Sequence, residues 1–497
     1  MTTETSIYEY AKAGAMIDPQ KIAIWFYGQP ITYSELFEKI DNLADHLYAL
    51  GVREGTVVTI HLPNCPQAVM AIYAVAKLGG ICSMVHPQIP SASLMDSIAI
   101  TNSKVLFTYL LDSYALKGIT IHVNPVAYMT MEEDGFSELL REEVNKAIFP
   151  DQSSLANSCA VFFSSSGTTG RPKTVMHCHA ALNREVKKIK EFYEIDDLRN
   201  EVLIGIFPLF HCAGFAANMH LTLSSGAELV PMIKWDIDQA VSLITARKVT
   251  YVSGVPKIFE TLLQKVDFCQ IHFRVCVVAG EGVPQELKRA YVRTAGVTLL
   301  EGYGMTENVS AGCSETRFDS EPIGMIPFPG CRFAVLTNDR QILAEGEGEL
   351  LLLSDTMMLG YLNESKTPFL CDNDGNKWFC SGDYGRIEQS GRVRFIRRIK
   401  NVIVRNGYNI YPEEIEDITR EVEGVDDVCV IGTEEKQIVA FVVMSKDDES
   451  SLAEKKIRQS WAERLPRYAT PQIIRFITSI PRNAVEKIDR KTLEAML

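Results

Sequence analysis

The stretch "SSSGTTGRPKT", residues 164–174, gathers groups suited to holding phosphate. Ser165, Ser166, Thr168 and Thr169 offer hydroxyls, Gly167 and Gly170 let the backbone approach an anion, and Lys173 adds a positive point charge. Counted from Gly167 the spacing is that of a Walker-type phosphate loop, but Pro172 stands where that loop has its second glycine. Proline has no N–H and a fixed φ, so a loop that works through inward-turned amides is damaged by it. Either phosphate is held in another way, or this is a polar surface turn, which the same residue types also make.

Other segments carry chemistry of the same kind. In "EGYGMTE", 301–307, an aromatic between two glycines can offer a flat face to a base, and Glu307 is a hard oxygen ligand suited to Mg²⁺ beside phosphates. In "SGD", 381–383, a carboxylate after a glycine can accept from both hydroxyls of a ribose, or cap a turn. "RRIKNVIVRNGYNIYPEEIE", 397–416, reads as a basic strand, a turn at Gly407 and a helix opened by Pro412. "IPRNAVEKIDRKTL", 480–493, holds Lys487, which alone is a solvated side chain. "HCH", 177–179, lacks a third and fourth ligand nearby for a metal.

These segments sit in an alternation of helix-like and strand-like runs. "ITYSELFEKIDNLADHLYALG" has helical spacing and ends on Gly51, "TVVTIHL" is strand-like, and "PQAVMAIYAVAKLGG" precedes the extended "ICSMVHP". The pattern recurs at "QAVSLITARKVTYVSGVPKIFETLL" and "RVCVVAGEGV", which argues for α/β layers on mostly parallel sheets. From about 320 short strands with polar turns predict a β-rich subdomain, and beyond about Lys400 a separate α/β run of about 100 residues follows, within the usual domain range. The 497 residues suffice for several cores, and the net charge of −13 argues against a dedicated nucleic-acid binder. "AVMAIYAVAKLGGICSMV" is broken by Lys77 and two glycines, so a buried helix and strand are expected rather than a membrane span. The N-terminus carries no signal-peptide pattern and the twelve scattered cysteines suit reduced core thiols, which together predict a cytoplasmic protein.

Taken in order, "SSGTTGRPK", "GYGMTE", "SGD", the 397–416 run and the C-terminal lysine segment resemble the acyl-adenylate-forming superfamily, which includes acyl- and aryl-CoA synthetases. The likeness runs from "ITYSEL" to the C-terminus, and the family's own phosphate loop has proline before its lysine. The resemblance implies a large N-terminal domain, 1–399, of two α/β subdomains plus a β-rich one at about 320–399. It also implies a small mobile α+β C-terminal lid, 400–497, hinged near Lys400. It implies roles as well. Ser165, Ser166, Gly167, Thr168, Thr169, Gly170 and Lys173 would cradle the ATP phosphates, and Gly280, Glu281 and Gly282 would line adenine, with Tyr303 and Gly304 beside the base. Thr306 would meet the α-phosphate, Glu307 with Thr168 would hold Mg²⁺, and Asp383 and Arg398 would bind the ribose. Lys487 would bridge substrate carboxylate and α-phosphate, and Gly407 would line the coenzyme A tunnel.

Departures from the family pattern are Thr174 and Glu486 in place of glycines and Arg397 in place of the usual glycine ahead of the hinge. They predict slow or partner-tuned adenylation. In "FPLFHCAGF", 207–215, Phe210 and His211 stand where amino-acid-activating members carry an Asp, so an ammonium would be left unpaired in an apolar pocket. A non-amino acid, fatty or aromatic, is therefore expected, with His211 as a gate at its carboxylate and the small residues of "CAGFAANMH" leaving room. Coenzyme A is the expected acceptor. The span from Lys455 to Lys491, with ten Lys or Arg against three Asp or Glu, also suits an acyl carrier protein, or is simply a solvated basic face. A non-catalytic acyl-adenylate sensor is the reading from another class. The oligomeric state stays open.

Overall fold

The computed structural model describes residues 2–89, 91–110, 119–127, 134–165, 173–195, 197–316, 324–364, 368–399, 403–405, 408–410, 412–433, 437–445, 450–465, 469–483 and 488–497. The alternation seen in the sequence becomes two mainly parallel sheets. One has seven strands in the order Gly360–Tyr361, Lys173–Cys178, Cys159–Ser165, Ile81–Met84, Val57–His61, Val105–Thr108, Ile119–His122. Its middle pairs are parallel, and the pairs made by Lys173–Cys178 are antiparallel. The other has nine strands, in whose centre Glu228–Pro231, Val202–Gly205, Tyr251–Gly254, Val275–Ala279 and Leu299–Tyr303 lie side by side in parallel. A six-stranded sheet is drawn from residues 331–398.

Local chemistry fixes the helices between these strands. Thr32 and Glu35 form a reciprocal capping box that opens the helix Tyr33–Ala49. Pro66 opens the helix Pro66–Lys77, every residue of which is buried. That helix is the former membrane candidate. Lys77 at its end reaches Asp41 at 2.9 Å, and no described helix is long and apolar enough to cross a membrane.

The chain packs as two compact units, Met1–Phe333 with Leu352–Phe379, and Ala334–Leu351 with Cys380–Leu497. Residues 380–399 group with those that follow. Lys400 lies outside the described residues, so a hinge there stays an expectation. The second unit contains a sheet of Val425–Gly432, Ile438–Met444 and Ile473–Phe476 with the helices Pro412–Arg420, Ser450–Arg464 and Arg490–Ala495. Its strands alternate between two buried faces. Val428, Val430, Ala440 and Val442 pack with Trp461, while Cys429, Ile431, Val439 and Phe441 pack with Leu493. All twelve cysteines are free, and only Cys269 and Cys371 are exposed.

Candidate active site

The parallel strands Val202–Gly205, Tyr251–Gly254, Val275–Ala279 and Leu299–Tyr303 point the same way. The segments leaving their carboxyl ends are 206–215, 255–256, 280–282 and 304–308, and in open α/β sheets such ends are where ligands bind. Ala279 lies opposite Gly302, so 280–282 leaves its strand beside Tyr303. Gly280 takes φ +94°, a left-handed turn that suits glycine, and around Gly282 there is nothing within 4 Å of where a Cβ would stand. Tyr303 keeps its ring 6.3 Å from Phe333.

The loop after Tyr303 is tightly constrained. A Cβ on Gly304 would stand 1.5 Å from Ser310 O, so only glycine fits. Thr306–Asn308 form a 3₁₀ turn, and Val309 follows at φ 61°, ψ −64°. Ser310 N donates to Asn308 O at 2.7 Å, which closes the rare γ-turn form. That conformation is strained for a β-branched residue and persists only where its surroundings over-determine it. Thr306 lies against Cys212, whose Sγ is 3.8 Å from Thr306 Oγ1, and His177 Nε2 meets the Thr306 carbonyl at 2.7 Å. A carbonyl only accepts, so His177 carries its proton on Nε2, and burial lowers its pKa to about 4. Glu307 Oε1 accepts from the Tyr361 hydroxyl at 2.9 Å. Burial first, and Glu307 second, push the Tyr361 pKa up.

Lys173 opens its strand directly opposite Ser165. Its Nζ is 2.9 Å from Glu364 Oε2 and 4.4 Å from the centre of the Tyr361 ring. Tyr361 thus stands between Lys173 and Glu307, and the structure brings these two expected site residues to one place. Ser166, Gly167, Thr168, Thr169 and Gly170 lie outside the described residues. His211 is half-buried, 3.7 Å from the Cys212 Sγ, and Phe210 packs edge-on against His86 at 4.4 Å. Directly after them Ala213–His220 forms a π-helix, a form that often marks functional sites. A Cβ on Gly214 would stand 2.0 Å from Pro208 O. The smallness of that residue therefore serves a close backbone approach, not substrate room.

In the second unit Asp383 is buried, and its carboxylate lies 3.3 Å from Arg398 Nε, its cross-strand neighbour. Ser381 and Glu349 hold the backbone N–H groups of Asp383 and Gly382 at 3.0 and 2.9 Å. Arg397 stacks on Tyr384 at 3.7 Å. Gly407, Glu486 and Lys487 lie outside the described residues. The "HCH" side chains serve separate ends: His177 binds Thr306, and His179 Nδ1 accepts from Ile7 N at 3.2 Å. Sequence reasoning passed over Tyr361 and Glu364. Their segment, "GYLNE", carries an aromatic after a glycine as "EGYG" does, and that was the available signal.

The model of the AMP-binding enzyme family matches residues 12–362, and that of the AMP-binding enzyme C-terminal domain matches 414–487. A long-chain-fatty-acid–CoA ligase of Bacillus subtilis is 27% identical over 519 residues, covering 96% of this chain and 91% of its own. A 2-succinylbenzoate–CoA ligase of Bacillus pumilus is 26% identical, covering 97% and 96%. Among solved structures, ATP-bound MatB from Rhodopseudomonas palustris aligns with TM-score 0.87 at 23% identity over 99% of both chains, which establishes a shared fold.

Proposed function

The chain belongs to the AMP-binding enzyme family, and on that footing we propose that it is an ATP-dependent acid–thiol ligase acting on a fatty or aromatic, non-amino carboxylic acid. The observation that carries this is the meeting of Lys173, Tyr361 and Glu307, with Thr306 beside Glu307 after the carboxyl end of Leu299–Tyr303 and Phe210 and His211 after that of Val202–Gly205. The CoA-ligase names of the relatives support the same reading.

In the first half-reaction a carboxylate oxygen attacks the α-phosphorus of ATP, the bond to the β-phosphate oxygen breaks, and pyrophosphate leaves. Two anions must approach, so cations and oriented donors have to offset the developing charge. Lys173 supplies a cation to the outgoing phosphates, and the Thr306 hydroxyl is a donor for the α-phosphate. Glu307 fits Mg²⁺, since its hard carboxylate is half-exposed and its described partner is a neutral hydroxyl at one oxygen. Bound there, Mg²⁺ would neutralise phosphate charge. Asp383 and Arg398 are assigned to the ribose, Gly280–Gly282 and Tyr303 to adenine, and Lys487 to the carboxylate and α-phosphate. In the second half-reaction a thiolate attacks the acyl carbon and AMP leaves. Coenzyme A is the proposed thiol, in the cytoplasm, with Gly407 along its path.

The test is pyrophosphate release with ATP and Mg²⁺ across fatty, aryl and amino acids, with and without coenzyme A. Release with a fatty or aryl acid, multiplied by coenzyme A, is the expected result. Release indifferent to coenzyme A moves the acceptor to a carrier protein, and no release with any acid favours the sensor.

A further inference from the structure

The segment that begins at Lys173 continues without a break from the strand Lys173–Cys178 into the helix His179–Phe192. Two of its side chains bond the loop that carries Thr306 and Glu307, and a third connects to it through Thr356. His177 Nε2 donates to the Thr306 carbonyl at 2.7 Å. Glu185, fully buried, accepts from Ser310 Oγ and from Ala311 N, each at 2.6 Å. Lys188, one helical turn further on, donates to Thr356 Oγ1 at 2.9 Å, and Thr356 Oγ1 donates to Asn308 Oδ1 at 2.9 Å. Asn308 Nδ2 closes the ring on Ala311 O at 2.8 Å. The attachments fall at 306, at 308 and at 310–311, so they bracket Glu307 and the strained Val309 turn from both sides.

We infer that His177 and Glu185 are positioning residues, which hold Thr306 and Glu307 at a fixed separation from the phosphate-loop lysine on their own segment. The inference rests on the proposed roles of Thr306 and Glu307 toward the α-phosphate and Mg²⁺. Neither positioning residue touches substrate. A buried carboxylate is costly unless it is paired and hydrogen-bonded, and its retention here needs a reason. Charge-assisted hydrogen bonds to carboxylate are shorter and stiffer than neutral ones. Such bonds are what a turn held in a disfavoured conformation requires. Lys188 lies on the same helix and is itself held by Ser354, Thr356 and Asp355.

The test uses the full chain and three variants. Glu185→Gln keeps size and one acceptor but removes the charge. His177→Leu removes the donor to Thr306, and His177→Gln restores an N–H at a comparable position. Three quantities are read: Mg·ATP affinity by calorimetry, the Mg²⁺ dependence of pyrophosphate release at saturating acid, and hydrogen exchange of the 304–312 amides in the folded protein. Glu185→Gln and His177→Leu are expected to weaken Mg·ATP binding about tenfold or more and to raise the Mg²⁺ requirement, since small misplacements at a reacting centre cost up to about 10²-fold. They should also speed exchange at 304–312 while the KM for the acid stays unchanged. His177→Gln should recover most of the loss. If the variants only lower the melting temperature, with Mg·ATP affinity and 304–312 exchange as in the wild type, the role is structural and the inference falls. A wild type that binds Mg·ATP but releases no pyrophosphate sinks the ligase reading alone, and calorimetry on the variants still decides this one. A wild type that does not bind Mg·ATP overturns it.

Discussion

Lys173 is engaged by Glu364, and that pair has a consequence for substrate binding. The ammonium lies 2.9 Å from a carboxylate that is itself 37% exposed, so the bond is screened by solvent. In the proposed role of Lys173, incoming phosphates have to replace it. A half-exposed pair is worth about 0.2–1 kcal/mol, so Glu364→Gln should lower the KM for ATP by up to about fivefold. The effect should shrink as salt is raised. Steady-state kinetics at two ionic strengths checks it, and an unchanged or higher KM would mean that Glu364 orients Lys173 rather than competing for it. At this scale the sequence was informative about charged groups. Lys173 and Glu307 were singled out by type and spacing, and both line the Tyr361 ring and hydroxyl. What it could not show is the partner of each. Glu364 is nearly two hundred residues from Lys173, and pairing over that distance is set by the sheet edge where Gly360–Tyr361 joins the phosphate-loop strand.

The elements that carry the site fall into two kinds. Helices such as Tyr33–Ala49 were legible, because a capping box and apolar periodicity act locally. The π-helix Ala213–His220 was not, because its form depends on the chain packed against its start. Gly214 is the residue that lets it form, with Pro208 O where a side chain would be. Gly214→Ala should therefore destabilise the fold by about 3 kcal/mol, the upper end of overpacking costs. Because His211 accepts from Ala213 N at 3.3 Å, the same change should move this residue, the proposed gate at the carboxylate, and raise the KM for the acid. Thermal unfolding and acid kinetics together test this, and a variant of normal stability with normal KM would show that the turn can give way. The Val309 turn is the second element hidden from the sequence. A valine at positive φ contradicts local preference, and tertiary hydrogen bonds at Ser310 and Ala311 override it.

At the scale of the whole molecule, the two compact units differ in their response to acid. All nine histidines of the chain fall within Met1–Phe333. His61, His177, His179 and His220 are fully buried, and burial lowers their pKa values to about 4, 4, 3 and 3. An unfolded histidine titrates at about 6.5. Above that pH both states are neutral and the fold keeps its full stability. As the pH falls below it the unfolded chain takes up protons that the buried rings refuse. Each ring then costs about 1.4 kcal/mol per pH unit until its folded pKa is reached. The four together remove roughly 5 kcal/mol per pH unit between about pH 6 and pH 4, against a typical stability of 5–15 kcal/mol. The first unit should thus open near pH 5 while the second, which has no histidine, stays folded. Hydrogen exchange read by mass spectrometry at pH 7.5 and pH 5 would resolve the two. Fast exchange in the strands of 1–333 beside protected amides in Val425–Gly432 and Ile438–Met444 is the expected pattern. Loss of protection in both at one pH would mean that the units unfold as one, and protection of both at pH 4 would mean that the buried rings find partners when charged.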